Sequence, residues 1–212
     1  MKMAFSMPCW KSARPDVWLV RVALVLALAG GLAPRAWSAA AGLEELRVET
    51  IDGELFLFAQ MRLALSPSVR DALGKGIPLH FVADARVMRE RWYWSDERLA
   101  RARRYTRIAH QPLTRRWRVN ISSEPITGTA VGLGLTQYYD SLDEALGAVQ
   151  RIAGWKIASA DELAGDGRQL LLFRFQLDSS QLPRTFQLGA VGQADWHLSI
   201  ERRIDLSGER AP

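Results

Sequence analysis

Alternating apolar and polar positions mark the first ordered region that the sequence predicts. Every odd position in 55–65 is apolar, whereas the even positions include Gln60 and Arg62. A period of two is typical of a strand with one buried face. Asp52-Gly53 lies between this run and an earlier one that begins at Leu46, and Asp-Gly at such a place favours a two-residue turn. The pattern therefore predicts a β-hairpin.

Two later stretches carry helix signals. Ser66-Pro67 provides an N-cap and a proline at the first helical position, and Gly74 ends this short segment. Ser141 and Glu144 form a capping box at the start of a second segment, which we predict to end at Gly154. The apolar residues at helical spacing are Val69, Ala72 and Leu73 in the first segment, and Leu142, Leu146, Val149 and Ala153 in the second.

Positions 77–94 predict a long strand whose apolar face changes sides. Apolar residues occupy the odd positions of 79–87, but Trp92 and Trp94 then occupy even positions. Because side chains alternate between the two faces of a strand, this change requires a bulge or a strand break within 88–91.

Further strands are predicted at 102–110, 115–122, 169–178 and 195–206. Seven or so strands, mostly short turns and one or two short helices indicate antiparallel sheets. We therefore predict a mainly β fold, an antiparallel β-sandwich-like single domain over residues 41–212. The inward side chains predicted for two of its strands are Trp117, Val119 and Ile121, and Leu171, Phe173, Phe175 and Leu177.

Residues 1–40 have the pattern of a secretory signal peptide. Four basic side chains precede an uncharged apolar run of twelve residues at 22–33, and small residues follow. This order is typical of a leader that is cleaved on export, here after Ser38 or Ala40. The run is shorter than the roughly 20 residues of a membrane-spanning helix. An uncleaved signal anchor remains an alternative, because the side chain of Arg21 can extend to the membrane–water interface. The predicted location is the periplasm, or the inner membrane facing the periplasm if the leader is retained.

The number and position of cysteines limit the covalent and metal-binding sites that the chain can have. The single cysteine, Cys9, precedes the apolar run, whereas the cysteine of a lipoprotein follows it. A chain without its leader would contain no cysteine, which excludes disulfide bonds, thiol catalysis and thiolate metal sites.

Most of the positive charge belongs to the leader. The chain has a net charge of +5 and a pI of about 9.8. Residues 1–40 carry five basic side chains and one acid, which leaves a net charge of +1 for the rest. The high pI is therefore no argument for a polyanionic partner.

The segment 86–118 is the strongest candidate for a binding surface, because eleven arginines stand there against three acids and are interleaved with aromatic residues. Such a composition suits an anionic partner. Export makes nucleic acid a rare partner, so we expect an anionic lipid, an envelope polymer or the acidic face of an envelope or membrane protein. The alternative is that these arginines pair with acids on neighbouring strands, for roughly 1 kcal/mol or less each. The candidate partner-binding residues are Arg89, Arg91, Trp92, Trp94, Arg103, Arg107, Arg116 and Arg118.

The two tryptophans in this set lie beside the predicted change of face, where we expect partial exposure. An exposed aromatic pair beside arginines is typical of interface hot spots.

Several motifs in the chain are similar to those of one bacterial family. They are Gly76-Ile-Pro-Leu-His-Phe; Arg91-Trp-Tyr-Trp-Ser-Asp with Tyr105 and Leu113-Thr-Arg-Arg-Trp-Arg-Val; and Ser141-Leu-Asp-Glu-Ala-Leu with Leu177-Asp-Ser-Ser-Gln-Leu-Pro and Asp195-Trp-His-Leu. Over positions 43–206 the chain resembles the DUF4390 family, a domain of unknown function. The resemblance implies an exported or membrane-anchored protein without an established activity. It also implies a link to a sensor histidine kinase, because members are often encoded near one of the nitrogen-regulation type.

Motifs for catalysis or cofactor binding are lacking in the sequence. His80, His110 and His197 occur singly, without the i, i+4 spacing of helical metal ligands. The paired acids Asp143 and Glu144 lie at a helix start, where capping and the helix dipole account for them. We therefore predict no enzyme activity, no cofactor and no metal.

Three functions remain open at this point. The first is a non-catalytic envelope module that binds another envelope component, such as a sensor histidine kinase, through 86–118. The second is an envelope hydrolase with dispersed carboxylate or histidine residues, which requires convergent acids in an open cleft. The third is a passive structural domain, in which the arginines would be paired and both Trp92 and Trp94 buried.

Overall fold

The computed structural model of the chain describes residues 42–92, 95–126, 134–182 and 196–207. The predicted leader and the start of the last predicted strand lie outside these residues. The described helices are α1 (Pro67–Gly74) and α2 (Leu142–Gln150), and a 3₁₀ turn lies at Ser179–Gln181. The described strands are β1 (Gly42–Ile51), β2 (Glu54–Arg62), β3 (Leu79–Arg89), β4 (Glu97–Gln111), β5 (Arg116–Ser122), β6 (Leu135–Tyr139), β7 (Arg151–Ala158), β8 (Gln169–Leu177) and β9 (Ser199–Asp205).

These strands form two antiparallel sheets. The small sheet has the order β1-β2-β7, and the large sheet has the order β6-β5-β4-β3-β8-β9. One hydrophobic core joins them, and it includes Leu57 of the small sheet and Phe81 of the large one. The predicted mainly β, antiparallel, sandwich-like fold is therefore confirmed.

The predicted hairpin is the β1-β2 unit. Ile51 pairs with Glu54, so Asp52 and Gly53 form a two-residue turn. Their φ angles are +52° and +79°, and two consecutive positive φ angles define a type I′ turn, which Asp-Gly favours. The odd positions of 55–65 are all buried, as the alternation predicts.

The change of face on β3 is confirmed in part. The register with β4 shifts between Val87 and Met88, which is the predicted bulge. The strand then ends at Arg89, and Trp92 lies beyond it with 92% of its surface exposed. Trp92 therefore does not continue an apolar strand face, and Trp94 lies outside the described residues.

Two strands escaped the sequence prediction. Helix α2 ends at Gln150, and Arg151 already has extended dihedral angles, so Ala153 and Gly154 belong to β7 and the predicted helix end at Gly154 is wrong. Pairing with β2 along the whole strand outweighs the local helical spacing there. Strand β6 has no buried residue, and an exposed edge strand gives no alternating signal.

Candidate functional site

The two faces of the large sheet differ in chemistry. Odd positions of β3, such as Phe81 and Val87, point into the core, so the even positions form the outer face. Strand register places alternate residues of the neighbouring strands on that same face. We define the arginine face as eight of the arginines at these outer positions, which are Arg86, Arg101, Arg103, Arg107, Arg116, Arg118, Arg174 and Arg203.

Asp84 lies at the centre of the arginine face and holds three of its side chains. The Asp84 side chain is only 10% exposed. The Nε atoms of Arg86 and Arg101 donate to Oδ1 at 3.1 and 3.2 Å, and Nε of Arg103 donates to Oδ2 at 3.4 Å. One buried carboxylate is therefore shared among three guanidinium groups.

The ionisation of Asp84 reflects two opposing effects. Burial alone would raise the pKa of Asp84, but hydrogen bonds from Arg101 and Arg86 outweigh it and hold the pKa below its ordinary value. The carboxylate therefore stays charged at neutral pH and balances one of the three arginines.

Acids at the periphery pair with further members of the arginine face. Arg174 contacts Glu201 at 2.6 Å, and Arg116 contacts Asp140 at 3.0 Å. Glu90 contacts both Arg203 and Arg168, the latter at 3.3 Å. These side chains are between 31% and 83% exposed, so each pair contributes about 1 kcal/mol or less.

Arg107 and Arg118 have no acidic partner among the described residues. The Nε atoms of both side chains are buried without a hydrogen bond. Burial lowers the pKa of the Arg107 guanidinium, and the charge of Arg118 lowers it further. His80 pairs with Arg107 across the strands, and its pKa is lowered by burial and by Arg107, against an opposing effect of Asp178. Positive charge is thus uncompensated at this end of the arginine face.

A shallow cavity of about 240 Å³ lies on the side of Asp84 that faces β8, away from Arg101 and Arg103 of β4. It lies over β3, β8 and β9, and its charged lining residues are Asp84, Arg86, Arg174, Glu201, Arg202 and Arg203. The walls of this cavity carry four cations and two anions, so it also favours an anionic group.

Four of the eight predicted partner-binding residues lie together. Arg103, Arg107, Arg116 and Arg118 belong to the arginine face. Arg89, Arg91 and Trp92 lie instead at the end of β3 and in the connection that follows it. Trp94 lies outside the described residues.

Sequence reasoning missed half of the arginine face. Arg86 and Arg101 were inside the segment 86–118 but were not selected. Arg174 could have been placed by parity, because it alternates with the inward Phe173 and Phe175. Arg203 lies on the arginine face because β9 pairs with β8, and the sequence does not reveal this pairing.

Arg89 supports the fold rather than the surface. Its side chain is 17% exposed, and Nη2 donates to the backbone oxygen of Ala164 at 2.5 Å. Gly165 and Gly167 have φ angles of +105° and +127° and pass so close that a Cβ atom would lie 3.0 to 3.2 Å from the Arg89 side chain. This loop therefore covers Arg89, and its side chain does not lie on the outer face of the sheet.

Replacing Arg89 by alanine is expected to lower the free energy of unfolding by about 2 kcal/mol, because a largely buried side chain loses its packing under the loop and its charged hydrogen bond to Ala164. The matched control is Arg91→Ala. Arg89 and Arg91 both contact Glu97, but the Arg91 side chain is 46% exposed, so its loss should cost about 0.5 kcal/mol. Urea denaturation of both variants measures the difference. Equal costs would contradict a supporting role for Arg89.

Within 42–92, 95–126, 134–182 and 196–207, no three His, Cys, Asp or Glu side chains gather closely enough to hold a metal ion. His110 lies on β4, with Nδ1 3.0 Å from the backbone oxygen of Gly74 and its ring 4.5 Å from that of Trp117. Neither α1 nor α2 has the length and apolar composition needed to cross a bilayer.

Fold and surface together define a class of protein: an antiparallel, β-sandwich-like domain with an arginine-rich outer face on its large sheet. A family model described as "Domain of unknown function (DUF4390)" matches residues 38–205. The chain therefore belongs to the DUF4390 family, as its motifs indicated. No curated protein and no solved structure matches it.

Proposed function

We propose that this domain is a non-catalytic binding module of the bacterial cell envelope, and that its arginine face binds an acidic surface of a membrane protein. The observation that carries the proposal is the uncompensated positive charge of one continuous sheet face, greatest at Arg107 and Arg118. Two partly dehydrated guanidinium groups beside each other are unfavourable. Carboxylates of a partner would supply the missing counterions and accept two-pronged hydrogen bonds.

The ionisation of the described acids supports a binding role. Three carboxylates have a shifted pKa, and each shift is downward. Burial opposes but arginine hydrogen bonds dominate at Asp84, and backbone hydrogen bonds from Ser159 and Ser207 lower the pKa of Glu162 and of Asp205. Such groups remain ionised at neutral pH, as ion-pair partners do, whereas a general acid needs a raised pKa.

The proposed location is the periplasm, or the inner membrane facing it if the leader is retained. The leader pattern of residues 1–40 supports export, and the family match begins next to the predicted cleavage positions, at residue 38. The sensor histidine kinase that the family resemblance implied is the first partner to examine.

The test is a pull-down of a C-terminally tagged chain from crosslinked native envelopes. Replacing both Arg107 and Arg118 by glutamine should reduce recovery of the specific membrane partner roughly tenfold or more, because charged hydrogen bonds of about 1.5–3 kcal/mol are lost. The intact mass of the protein in the same sample shows whether the leader is cleaved after Ser38 or Ala40 or is retained.

The matched control replaces Arg70 and Lys75 by glutamine. Arg70 lies on α1 and Lys75 is the C-cap residue of that helix, both outside the arginine face, and the net charge changes by the same amount. Equal recovery with both double variants would contradict the proposal. Recovery of anionic lipid or polymer in place of a protein would also overturn it, since the proposed partner is an acidic protein surface.

A further inference from the structure

A groove on the inner side of the large sheet forms a second candidate site. It runs between β6, an edge strand of the large sheet, and β7, an edge strand of the small one. Two adjoining cavities of about 490 and 270 Å³ make up the groove, and both are lined by Arg104, Ile121 and Leu135. The larger value lies within the roughly 300–1,000 Å³ range of ligand pockets.

Arg104 occupies an inner position that the strand pattern reserves for apolar or small residues. It pairs with the core residue Ala83, whereas its neighbour Arg103 points to the arginine face. Burial lowers the pKa of the Arg104 guanidinium from its ordinary value. This guanidinium makes no ion pair or hydrogen bond with any residue that the structure describes.

The two ends of the groove differ in polarity. The smaller cavity continues from Arg104 along Ile121, Leu135 and Trp155. The larger cavity continues beside helix α2 toward the charged side chains of Arg151 and Glu144 and the amides of Gln60 and Gln137. A cation thus lies where an apolar lobe meets a polar one.

The guanidinium of Arg104 is partly buried and has no partner among the described residues, so an anion from outside the chain would stabilise it. Removing a guanidinium from water without a counterion is costly. The surface of the lobe beside Arg104 is mostly apolar, although Arg103, Ser122 and Ser123 also line it. A ligand that matches this lobe needs one anionic head and one apolar chain.

We infer that this groove binds a single-chain anionic amphiphile of the fatty-acid type, with its carboxylate on Arg104 and its chain along Ile121, Leu135 and Trp155. Arg103 of the arginine face also lines the smaller cavity, but Arg104 and the larger cavity lie on the inner side of the sheet, away from that face. The inference does not depend on the proposed function.

The experiment uses a fatty acid that carries a photoreactive diazirine in its alkyl chain. The full chain is labelled in isolated envelopes, and the modified peptides are identified by mass spectrometry. We expect labelling within 134–139 or 151–158. Arg104→Met keeps the length of the side chain but removes its charge, and it should reduce labelling roughly tenfold or more.

Three comparisons decide the outcome. The matched control Arg98→Met removes a charge at an exposed position of the same strand, outside the lining of both cavities, and should leave labelling unchanged. Arg104→Lys retains the charge and should keep labelling within about threefold of the original chain, which separates loss of the head-group contact from loss of folding. Unlabelled dodecanoate should compete, whereas dodecanol, which lacks the charge, should compete at least about tenfold less well.

The inference is overturned by labelling that maps elsewhere, by undiminished labelling of Arg104→Met, or by equal competition from dodecanol. An acidic peptide that displaces the probe better than dodecanoate would also overturn it, because the site would then serve a polypeptide. None of these results bears on partner binding by the arginine face.

Discussion

Replacing Asp84 by asparagine is expected to lower the free energy of unfolding by about 3 kcal/mol, because the shared counterion of three arginines is lost from a buried position. The exposed fraction of the Asp84 side chain is 10%, and the arginines that contact it are between 30% and 44% exposed. Asparagine can still accept a hydrogen bond, but it carries no charge. For a domain of this size the melting temperature should fall by roughly 6–12 °C.

The matched control is Glu201→Gln. Glu201 also pairs with an arginine of the same face, Arg174, but its side chain is 59% exposed. Its replacement should therefore cost about 1 kcal/mol or less. Urea denaturation at pH 7 measures both values. Similar costs for the two variants would show that Asp84 does not organise the arginine face.

The dependence of the free energy of unfolding on pH provides a second test of the ion pairs between Asp84 and its three arginines. The pKa of Asp84 in the folded chain lies below its ordinary value of 3.8. Such a group stabilises the fold above its unfolded pKa, and this contribution is lost as pH falls through the folded pKa. The difference between the original chain and Asp84→Asn should therefore shrink as the pH is lowered below about 3.8. A constant difference between pH 7 and pH 2 would contradict the assignment.

Local signals in the sequence predict the elements that depend on short-range chemistry. Asp52-Gly53 predicts a turn because both residues tolerate a positive φ angle, and the structure has positive values at both. Ser66 and Ser141 predict helix starts because their side chains accept hydrogen bonds from the backbone, here from the N–H groups of Val69 and Glu144. None of these features needs knowledge of a distant partner strand.

The same local signals do not predict the order of the strands in a sheet. Arg174 and Arg203 join Asp84 on one face only because β8 and β9 follow β3 across the large sheet. Arg103 and Arg104 are adjacent in the sequence and chemically identical, yet Arg103 binds Asp84 on the arginine face and Arg104 lies opposite the core residue Ala83 on the inner side. Only the register with β3 assigns each arginine to its face.

The inner side of the same strands predicts the largest loss of stability. Phe175 is 2% exposed, and its ring stacks on Phe81 at a centroid distance of 5.5 Å. Its cross-strand neighbour on β3 is Ala83, and Phe173 lies opposite Ala85 in the same way. Small residues on one strand thus leave the space that the large rings of the next strand fill.

Phe175→Ala is therefore expected to cost about 4 kcal/mol, near the middle of the range for buried phenylalanine, because Ala83 cannot fill the cavity. Phe175→Leu, which keeps most of the apolar volume, should cost less than half as much. Urea denaturation compares the two variants. A cost below about 1 kcal/mol for Phe175→Ala would show that the two strands are not held by this packing. Because β3 carries Phe81 and Asp84 on opposite sides, the position of Asp84 among its arginines depends on the same packing. Loss of the ring should thus destabilise the core and the arginine face in a single cooperative transition.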